Sequence, residues 1–339
     1  MLTTKERRGK YYIAAFAGIL VAVFVFSFAI GNYPIPPGEL LRIIFGKLFS
    51  MPQTWSNEAE LVIFKIRTPR ILAGAMIGAG LSAAGAAYQG LFRNPLVSPD
   101  VLGASAGAGF GAAIMIFFGM SYAMVSAGAF VTGLIAVGTA YFISARTRRS
   151  QTLGMVLAGI MISSLFSSAT SFIKLIADPN NVLPSITFWL MGSIAGVREN
   201  RLVWAAIPII GGMLVLLFFR WRLNLLTTGE DEARSMGINT RVMRLIVVTA
   251  ATLITSACVA ISGLIGWVGL VIPHFARMLV GYDYKIMMPV SMLMGASFMI
   301  LVDDLARSVA TAEIPLGILT AFVGAPFFLY LVLDRGRRS

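Results

Sequence analysis

Residues 71–91 read ILAGAMIGAGLSAAGAAYQGL, an apolar run without Asp, Glu, Lys or Arg. A helix of about 20 such residues crosses the roughly 30 Å hydrocarbon core of a bilayer and satisfies its own backbone hydrogen bonds. Similar runs recur along the 339 residues, of which 58% are hydrophobic and only 12% charged. The sequence therefore predicts an all-α polytopic membrane protein that occupies residues 1–339 as a single transmembrane domain.

We place about ten transmembrane helices, at 11–31, 71–91, 99–118, 122–144, 153–176, 202–220, 243–262, 264–280, 286–306 and 314–333. The third and eighth are weak because they are rich in Gly and interrupted by Pro, so hydropathy alone also allows eight or nine. Broken helices of this kind are tolerated beside protein or a water-filled cavity, which points to a translocation path. The first run resembles a secretory signal but is longer than a typical one, which favours a retained span.

The connecting segments predict the orientation of the chain. Its formal charge is +12, yet the basic residues form no continuous face, so no nucleic-acid partner is predicted. The positive-inside rule instead puts both termini in the cytoplasm and requires an even number of spans. Residues 32–66 should contain a short amphipathic helix on the outer interface, as an external segment. The basic residues that carry the orientation are Lys5, Arg7, Arg8, Lys10, Arg146, Arg148, Arg149, Arg335, Arg337 and Arg338.

A weak internal repeat appears at an offset of 174 residues, and chance alone can account for most of the matching positions. If the repeat is real, five spans separate the two copies, which must then have opposite orientations, as in many transporters. The matching positions are Arg67 and Arg241, Arg70 and Arg244, Ser82 and Ser256, Val97 and Val271, Pro99 and Pro273, and Gly107 and Gly281.

The predicted spans contain very few groups for chemistry. One histidine, His274, and one cysteine, Cys258, form no recognisable metal or catalytic set, and no phosphate-binding loop is present. We therefore predict no catalytic residue, no metal site and no cofactor on this chain. Two alternatives remain: a stand-alone secondary carrier, which should show a buried ionisable site, and a membrane-embedded enzyme, which should show a catalytic cluster.

One segment, residues 223–242, is unusually polar for this chain. Its GEDEARSMG stretch places three acidic residues in a row, although the positive-inside rule does not produce acidic cytoplasmic loops. Two short helices hinged at Gly237 would present an acidic first turn. We predict a docking surface for a soluble partner; the alternative is a solvated loop.

The fifth span has a hydroxyl-rich side. At about 100° per residue, Ser164, Ser167, Ser168 and Ser171 share one side of the helix. Such a face either lines a wet path or hydrogen-bonds to neighbouring helices.

The EAxxxG core of the polar segment, Glu232, Ala233 and Gly237, resembles the coupling loop of ABC importer permeases. Four further stretches resemble the FecCD-type permeases that import ferric siderophores, haem and cobalamin: the Gly-rich run that begins RTPRILAGAMIGAG, FWLMGSI, GLIGWVGLVIPHFAR and DDLARSVATAEIPLGILTAFVGAPFFLYLV. These matches run in order from about residue 60 to 333.

The resemblance implies a type II ABC importer permease fold and a homodimer in the prokaryotic cytoplasmic (inner) membrane. It also implies two ATPase subunits, which use ATP and Mg²⁺, and an extracytoplasmic substrate-binding protein. By resemblance, the residues that dock the binding protein are Arg67, Arg70 and Arg307, unless they pair with local acids such as Asp303 and Asp304. Those that couple to the ATPase are Glu230, Asp231, Glu232, Ala233, Arg234 and Gly237.

The fifth span borders the central cavity in that family, so its serines are the candidate translocation path. The cargo implied first is a ferric siderophore or haem, and then cobalamin. Molybdate or tungstate is the alternative, because part of the family carries oxyanions.

Overall fold

The structure, a computed structural model, describes residues 4–31, 33, 35–146, 151–309 and 312–336. Regular structure in this part of the chain is entirely helical. The helices are α1 (Thr4–Ser27), α2 (Pro37–Leu48), α3 (Asn57–Leu61), a π-helical turn (Val62–Arg67), α4 (Thr68–Leu91), α5 (Ala104–Phe117), α6 (Tyr122–Ala145), α7 (Gln151–Ile176), α8 (Val182–Met191), α9 (Glu199–Thr228), α10 (Glu230–Ser235), α11 (Thr240–Ser262), α12 (Val268–Val280), α13 (Tyr284–Ala306) and α14 (Leu316–Gly336).

Each predicted span corresponds to one of these helices, and the prediction of an all-α polytopic fold is confirmed. Within the described ranges, seven helices are long and apolar enough to cross a membrane. The two weak spans are the short helices α5 and α12, which follow breaks at 92–103 and 263–267. The short apolar helix α8 was not predicted.

Local sequence signals explain where several helices begin. The side chains of Ser56, Asn239 and Asp283 accept hydrogen bonds from backbone N–H groups two or three residues ahead, over 3.0 to 3.1 Å. Such caps satisfy donors that the first turn of a helix leaves unpaired. Pro37 opens α2, where its missing N–H costs nothing.

The centre of the bundle is formed by α4 and α11, whereas α1 lies at the periphery. About 78% of the apolar window of α4 and of α11 is buried, against 6% for α1. Close backbone approach requires glycine here, since a Cβ at Gly78 would lie 2.0 Å from the carbonyl oxygen of Gly295. A Cβ at Gly85 would lie 1.8 Å from that of Gly269. Small residues therefore let α4 contact α13 and α12 directly.

The two central helices run in opposite directions. The start of α4 contacts the end of α13 through Arg70 and Asp303, and the end of α4 contacts the start of α13 through Tyr284 and Ala86. The start of α11, by contrast, contacts α10, which follows the end of α9. Since Asn224 near the end of α9 contacts Tyr284, α11 begins where α4 ends. This agrees with the inverted-repeat hypothesis.

Two parts of the topology prediction go beyond the described structure. Arg148, Arg149, Arg337 and Arg338 lie outside the described residues, so the cytoplasmic position of the termini stays a prediction. The amphipathic helix expected within 32–66 is present as α2, and it exposes Leu41 and Phe45. Its position at the outer membrane interface stays a prediction.

Candidate functional site

Arg70, near the start of α4, is the centre of an ionic cluster at one end of the bundle. Its Nε lies 2.9 Å from both carboxylate oxygens of Asp303, and its Nη2 lies 2.8 Å from Asp303 Oδ1. Its Nη1 donates to Glu313 Oε1 over 2.7 Å. The side chain of Arg70 is 7% exposed and that of Glu313 is 40% exposed. Glu313 is therefore the accessible partner of a buried guanidinium.

Arg307 and Arg67 complete this cluster and hold the chain that follows α1. Arg307 pairs with Asp304, and its Nη2 donates over 2.7 Å to the carbonyl oxygen and the hydroxyl of Ser27. Arg67 donates to two backbone carbonyls, those of Phe28 and Tyr33. Both arginines are buried, with 6% and 3% of their surface exposed.

The three predicted docking arginines therefore lie together, but none presents a free guanidinium to solvent. The alternative, pairing with local acids, describes Arg70 and Arg307, while Arg67 binds backbone oxygens. Their common position at the end of the bundle where α1 ends and α4 begins is consistent with a docking surface. A partner would have to reach them through Glu313 and the neighbouring loop, and the docking role stays a prediction.

The polar segment forms the short helix α10 and the start of α11. The predicted pair of short helices is thus one short helix, a turn at Gly237 and the first turn of a long helix. Gly237 has φ +82°, in the left-handed region that favours glycine. Ala233 is fully buried, whereas Asp231, Glu232 and Arg234 are exposed. This arrangement anchors α10 by one small apolar contact and leaves its charges on the surface.

Glu230 connects α10 to the bundle. Its Oε1 accepts hydrogen bonds from Arg244 over 3.1 Å, Arg234 over 3.2 Å and Thr240 over 3.4 Å. Partial burial opposes ionisation, but the positive charge and hydrogen bond of Arg244, followed by Arg234 and Thr240, lower the pKa of Glu230 below its usual value. Arg244 is buried near the start of the core helix α11. Glu230 therefore links α10 to the buried start of α11.

The predicted path serines lie on the surface of α7. Ser164, Ser167, Ser168 and Ser171 are all exposed in the single chain. Ser171 donates back to the carbonyl oxygen of Ser167 in the same helix, over 3.0 Å. The exposed serines lie beside large exposed apolar side chains of α7, so this helix presents a mixed surface. Their path role stays a prediction.

A cavity of about 680 Å³ lies between α8, the break at 263–267 and α14. Trp267, Phe322 and Pro326 contribute to its walls. Trp267 has φ +70°, and it contacts Gly324, where an added Cβ would lie 2.5 Å from the Cβ of Trp267. Sequence reasoning marked the Gly- and Pro-rich break but did not find this cavity, because its walls come from that break and from two helices far apart in sequence.

Sequence reasoning also missed a buried polar network between α4 and α12. Arg277 donates from Nη2 to Gln89 Oε1 over 2.6 Å. Both residues fall in stretches that carried the resemblance, but no local pattern indicates that they meet. Within the part of the chain that the structure describes, no group of three or more His, Cys, Asp or Glu could hold a metal ion.

A bundle of seven long apolar helices and several shorter ones, with a charged short helix beside the core, is consistent with a membrane permease of the ABC importer class, and the comparisons with known proteins show that class. The FecCD transport family model matches residues 19–334. The chain is 40% identical over 320 residues to the molybdate import system permease protein of Haemophilus influenzae, covering 94% of both chains. It is 38% identical to the cobalamin import system permease protein of Halobacterium salinarum, covering 86% of this chain and 77% of the relative.

A solved structure described as an inward-facing metal-chelate type ABC transporter matches with a TM-score of 0.84 and 39% identity, covering 95% of this chain and 98% of the other. This chain belongs to the FecCD transport family. It is the membrane-spanning permease subunit of an ABC importer, not an enzyme, and ATP hydrolysis belongs to a separate subunit.

Proposed function

We propose that this permease receives its cargo from a substrate-binding protein at the arginine cluster and its driving force from an ATPase at α10. The observation that carries the proposal is the separation of two charged sites at opposite ends of one packed bundle. Arg70 and Arg307 lie where α4 begins, and Glu230 lies where α11 begins. Each end thus has its own surface for a separate partner.

The coupling surface would be the exposed acidic turn of α10. Asp231 and Glu232 are free to meet basic groups of an ATPase, while the buried Ala233 fixes the helix in place. The Glu230–Arg244 ion pair links that helix to α11, whose window is about 78% buried. A rigid link of this kind allows a nucleotide-driven displacement of α10 to move the core helix.

The docking surface would use Glu313 as an exchangeable partner. Arg groups bind carboxylates bidentately and with orientation. A glutamate of the binding protein would replace Glu313 on Arg70, because Glu313 is the one partly exposed carboxylate in the cluster. Asp303 and Asp304 would stay in place and keep the buried guanidinium groups paired.

The path would form where two copies of the chain meet. The exposed serines of α7 and the cavity beside Trp267 and Phe322 both lie on surfaces of the single chain. In a symmetric dimer each surface would face its own copy. Neutral hydroxyl and apolar groups would let a bulky cargo pass without holding it tightly.

The cargo we propose is a metal chelate, a ferric siderophore or haem first and cobalamin next. A second candidate, molybdate or tungstate, is supported by the 40% identity to a molybdate permease over 94% of both chains. Uptake of labelled ferric siderophore, haem, cobalamin and molybdate by cells that express the whole importer distinguishes them. Saturable, ATP-dependent uptake of molybdate alone would reject the chelate in favour of the oxyanion.

Capture of this chain from its native membrane at modest salt tests the importer role. We expect an ATPase with a phosphate-binding loop in equal amount, and Glu232→Lys should release it. Arg201→Gln, at the opposite end of α9 from α10, is the matched control and should retain the ATPase. Recovery of the chain alone, with uptake intact in liposomes that lack ATP, would instead support a secondary carrier.

A further inference from the structure

A second cavity, of about 180 Å³ and with polar and charged residues in its walls, lies at the end of the bundle that carries α10. Its walls come from the ends of α4, α9 and α12 and the start of α13. It is much larger than the roughly 10–15 Å³ that one water requires. It contains none of the residues from Glu230 to Gly237. Polar or charged side chains in its walls belong to Arg93, Asn94, Thr227, Arg277, Tyr282 and Tyr284.

Arg277 is the buried cation of this cavity. It is 8% exposed, and its Nη2 donates to Gln89 Oε1 over 2.6 Å. Its side chain also interacts with the Tyr284 hydroxyl, and its guanidinium carbon lies 5.7 Å from the centre of the Tyr282 ring. Its Nη1 is buried and has no hydrogen-bond partner in the described part of the chain. No carboxylate of the described residues forms an ion pair with it. A buried guanidinium with an unused donor is costly unless a negative group pairs with it.

The other groups in the walls are also suited to an anion. Arg93 is exposed and follows the end of α4, which gives the cavity a second positive charge. The side-chain oxygen of Asn94 accepts from the backbone N–H of Leu96 over 2.9 Å, so its amide NH₂ can donate elsewhere. Tyr282 is exposed and supplies a hydroxyl group, whereas the hydroxyl of Thr227 donates to the carbonyl oxygen of Asn224 over 2.6 Å.

The acid next to the two wall tyrosines in sequence does not line this cavity. Asp283 lies between the two tyrosines in sequence but is absent from the walls of the cavity. Its Oδ1 accepts from Asn224 Nδ2 over 2.7 Å and from the backbone N–H of Lys285 over 3.0 Å. Its carboxylate caps the start of α13. The cavity therefore combines two guanidinium groups, an amide and the hydroxyl of Tyr282, and none of the carboxylates that the structure describes lines it.

We propose that this cavity binds a tetrahedral oxyanion of the phosphate class. Guanidinium forks match the oxygens of a phosphate group in geometry and charge. The same chemistry is supplied by free phosphate or by the headgroup of an anionic phospholipid. This site lies apart from the docking and path surfaces and contains none of the coupling residues Glu230 to Gly237, although Thr227 belongs to the same polar segment. It does not depend on which cargo is carried.

The position of the site gives the bound anion a structural effect. Thr227 lies two residues before Gly229, which precedes α10, and Arg277 lies in the last turn of α12. An anion bound to Arg277 would lie beside Thr227 in the wall of the cavity and would fill the space between the end of α9 and the junction of α12 and α13. The coupling segment begins at that end of α9.

The test measures the thermal midpoint, Tm, of the full chain in nanodiscs of phosphatidylcholine, as inorganic phosphate replaces chloride at constant ionic strength. A ligand that binds only the folded state raises Tm in a saturable way. We expect Arg93→Gln to raise the half-saturating phosphate concentration about tenfold or more. Arg241→Gln removes an exposed arginine at the same end and should respond as the wild type does.

A second set of nanodiscs contains phosphatidylglycerol and no free phosphate. A rise in Tm that Arg93→Gln abolishes in these nanodiscs, without a response to phosphate, assigns the site to a lipid headgroup. If the Arg277→Gln variant folds, it should abolish either response. If it does not fold, the comparison of Arg93→Gln with the wild type decides the test. Equal responses of the wild type and Arg93→Gln to both probes, or no response of the wild type to either, would overturn the proposal.

Discussion

Arg70 shows how one residue can serve both folding and docking. Its guanidinium is buried against Asp303 and reaches the surface only through Glu313. Breaking a buried ion pair by removing one partner costs about 3–5 kcal/mol. A charge reversal at Arg70 would therefore lose the fold together with any docking, so Glu313 is the better position for a functional test.

Glu313→Gln should strengthen the binding of the substrate-binding protein. The substitution removes the negative charge that competes for Arg70 Nη1, while Asp303 keeps the guanidinium paired. A partly exposed ion pair contributes about 0.2–1 kcal/mol, which corresponds to a gain in affinity of about 1.4- to 5-fold. Surface plasmon resonance with the permease in nanodiscs measures it.

The matched control is Glu199→Gln, which removes an exposed glutamate paired with Lys65 over 3.2 Å. Both side chains of that pair are 66% exposed, and Lys65 lies two residues before Arg67. We expect no change in affinity there. Unchanged or weaker binding by Glu313→Gln would show that Glu313 does not hold the place of a partner carboxylate.

Glu230 makes the order of the coupling segment depend on pH. Its pKa is lowered in the folded protein, so its ion pair with Arg244 stabilises the segment above the unfolded pKa and is lost as pH falls through the folded pKa. We expect hydrogen-exchange protection factors of residues 229–240 to decrease as the pH falls below about 4.5, the usual value for glutamate.

Glu230→Gln should show the lower protection already at pH 7 and little further loss on acidification. The control is Glu232→Gln, two residues further along α10, because Glu232 forms no ion pair with a described residue. The same acid-induced loss in Glu230→Gln and the wild type would assign the effect to another group.

Sequence reasoning found functional residues that are neighbours in sequence, and it missed contacts between residues far apart in sequence. The acidic turn of α10 was predicted because Glu230, Asp231 and Glu232 adjoin one another in an apolar chain. The pairing of Arg70 with Glu313 spans 243 residues, and that of Arg277 with Gln89 spans 188. Contacts of this kind are set by how the helices pack, and no local pattern encodes them.

At the scale of helices, hydropathy predicted the core of each span better than its end. The sixth predicted span stops at 220, yet α9 continues to Thr228, because Arg220 and Arg222 lower the hydropathy without breaking the helix. The ten residues of α8 are too few to register as a span. The breaks before α5 and α12 were predicted from Gly and Pro, which is the signal that marks irregular backbone.

Gly78→Ala should destabilise the bundle by about 1–3 kcal/mol, which is typical of an overpacked core. The added Cβ would lie 2.0 Å from the carbonyl oxygen of Gly295, so α4 and α13 would have to separate. The control is Gly138→Ala in α6, where nothing lies within 4 Å of the new Cβ. Thermal unfolding in detergent should give a lower Tm for the first and an equal or higher Tm for the second. Equal Tm values would contradict the close packing described here.

At the scale of the whole molecule, the exposed faces of α7 are hard to reconcile with a monomer in lipid. Four exposed serines lie on one helix, whereas α9 exposes large apolar side chains such as Trp204 and Phe218. We expect Ser168→Trp to reduce cargo uptake more than about tenfold by narrowing a path at the dimer interface, with both docking steps retained. Leu214→Trp on α9 is the control and should transport normally. Full uptake by Ser168→Trp would assign the serines to packing.

The dimer itself can be tested because the chain has one cysteine, Cys258, and it is buried. In a two-fold symmetric interface, a residue near the axis meets its own copy. A disulfide forms only when the two Cβ atoms lie about 3.5–4.5 Å apart. We therefore expect Ser168→Cys, in a Cys258→Ala background, to give a covalent dimer on mild oxidation in the membrane. Leu214→Cys, at a residue that is also exposed but lies on α9, should remain monomeric. A dimer through Leu214→Cys and none through any of the four serine positions would place the two-fold axis at α9 and move the path away from α7.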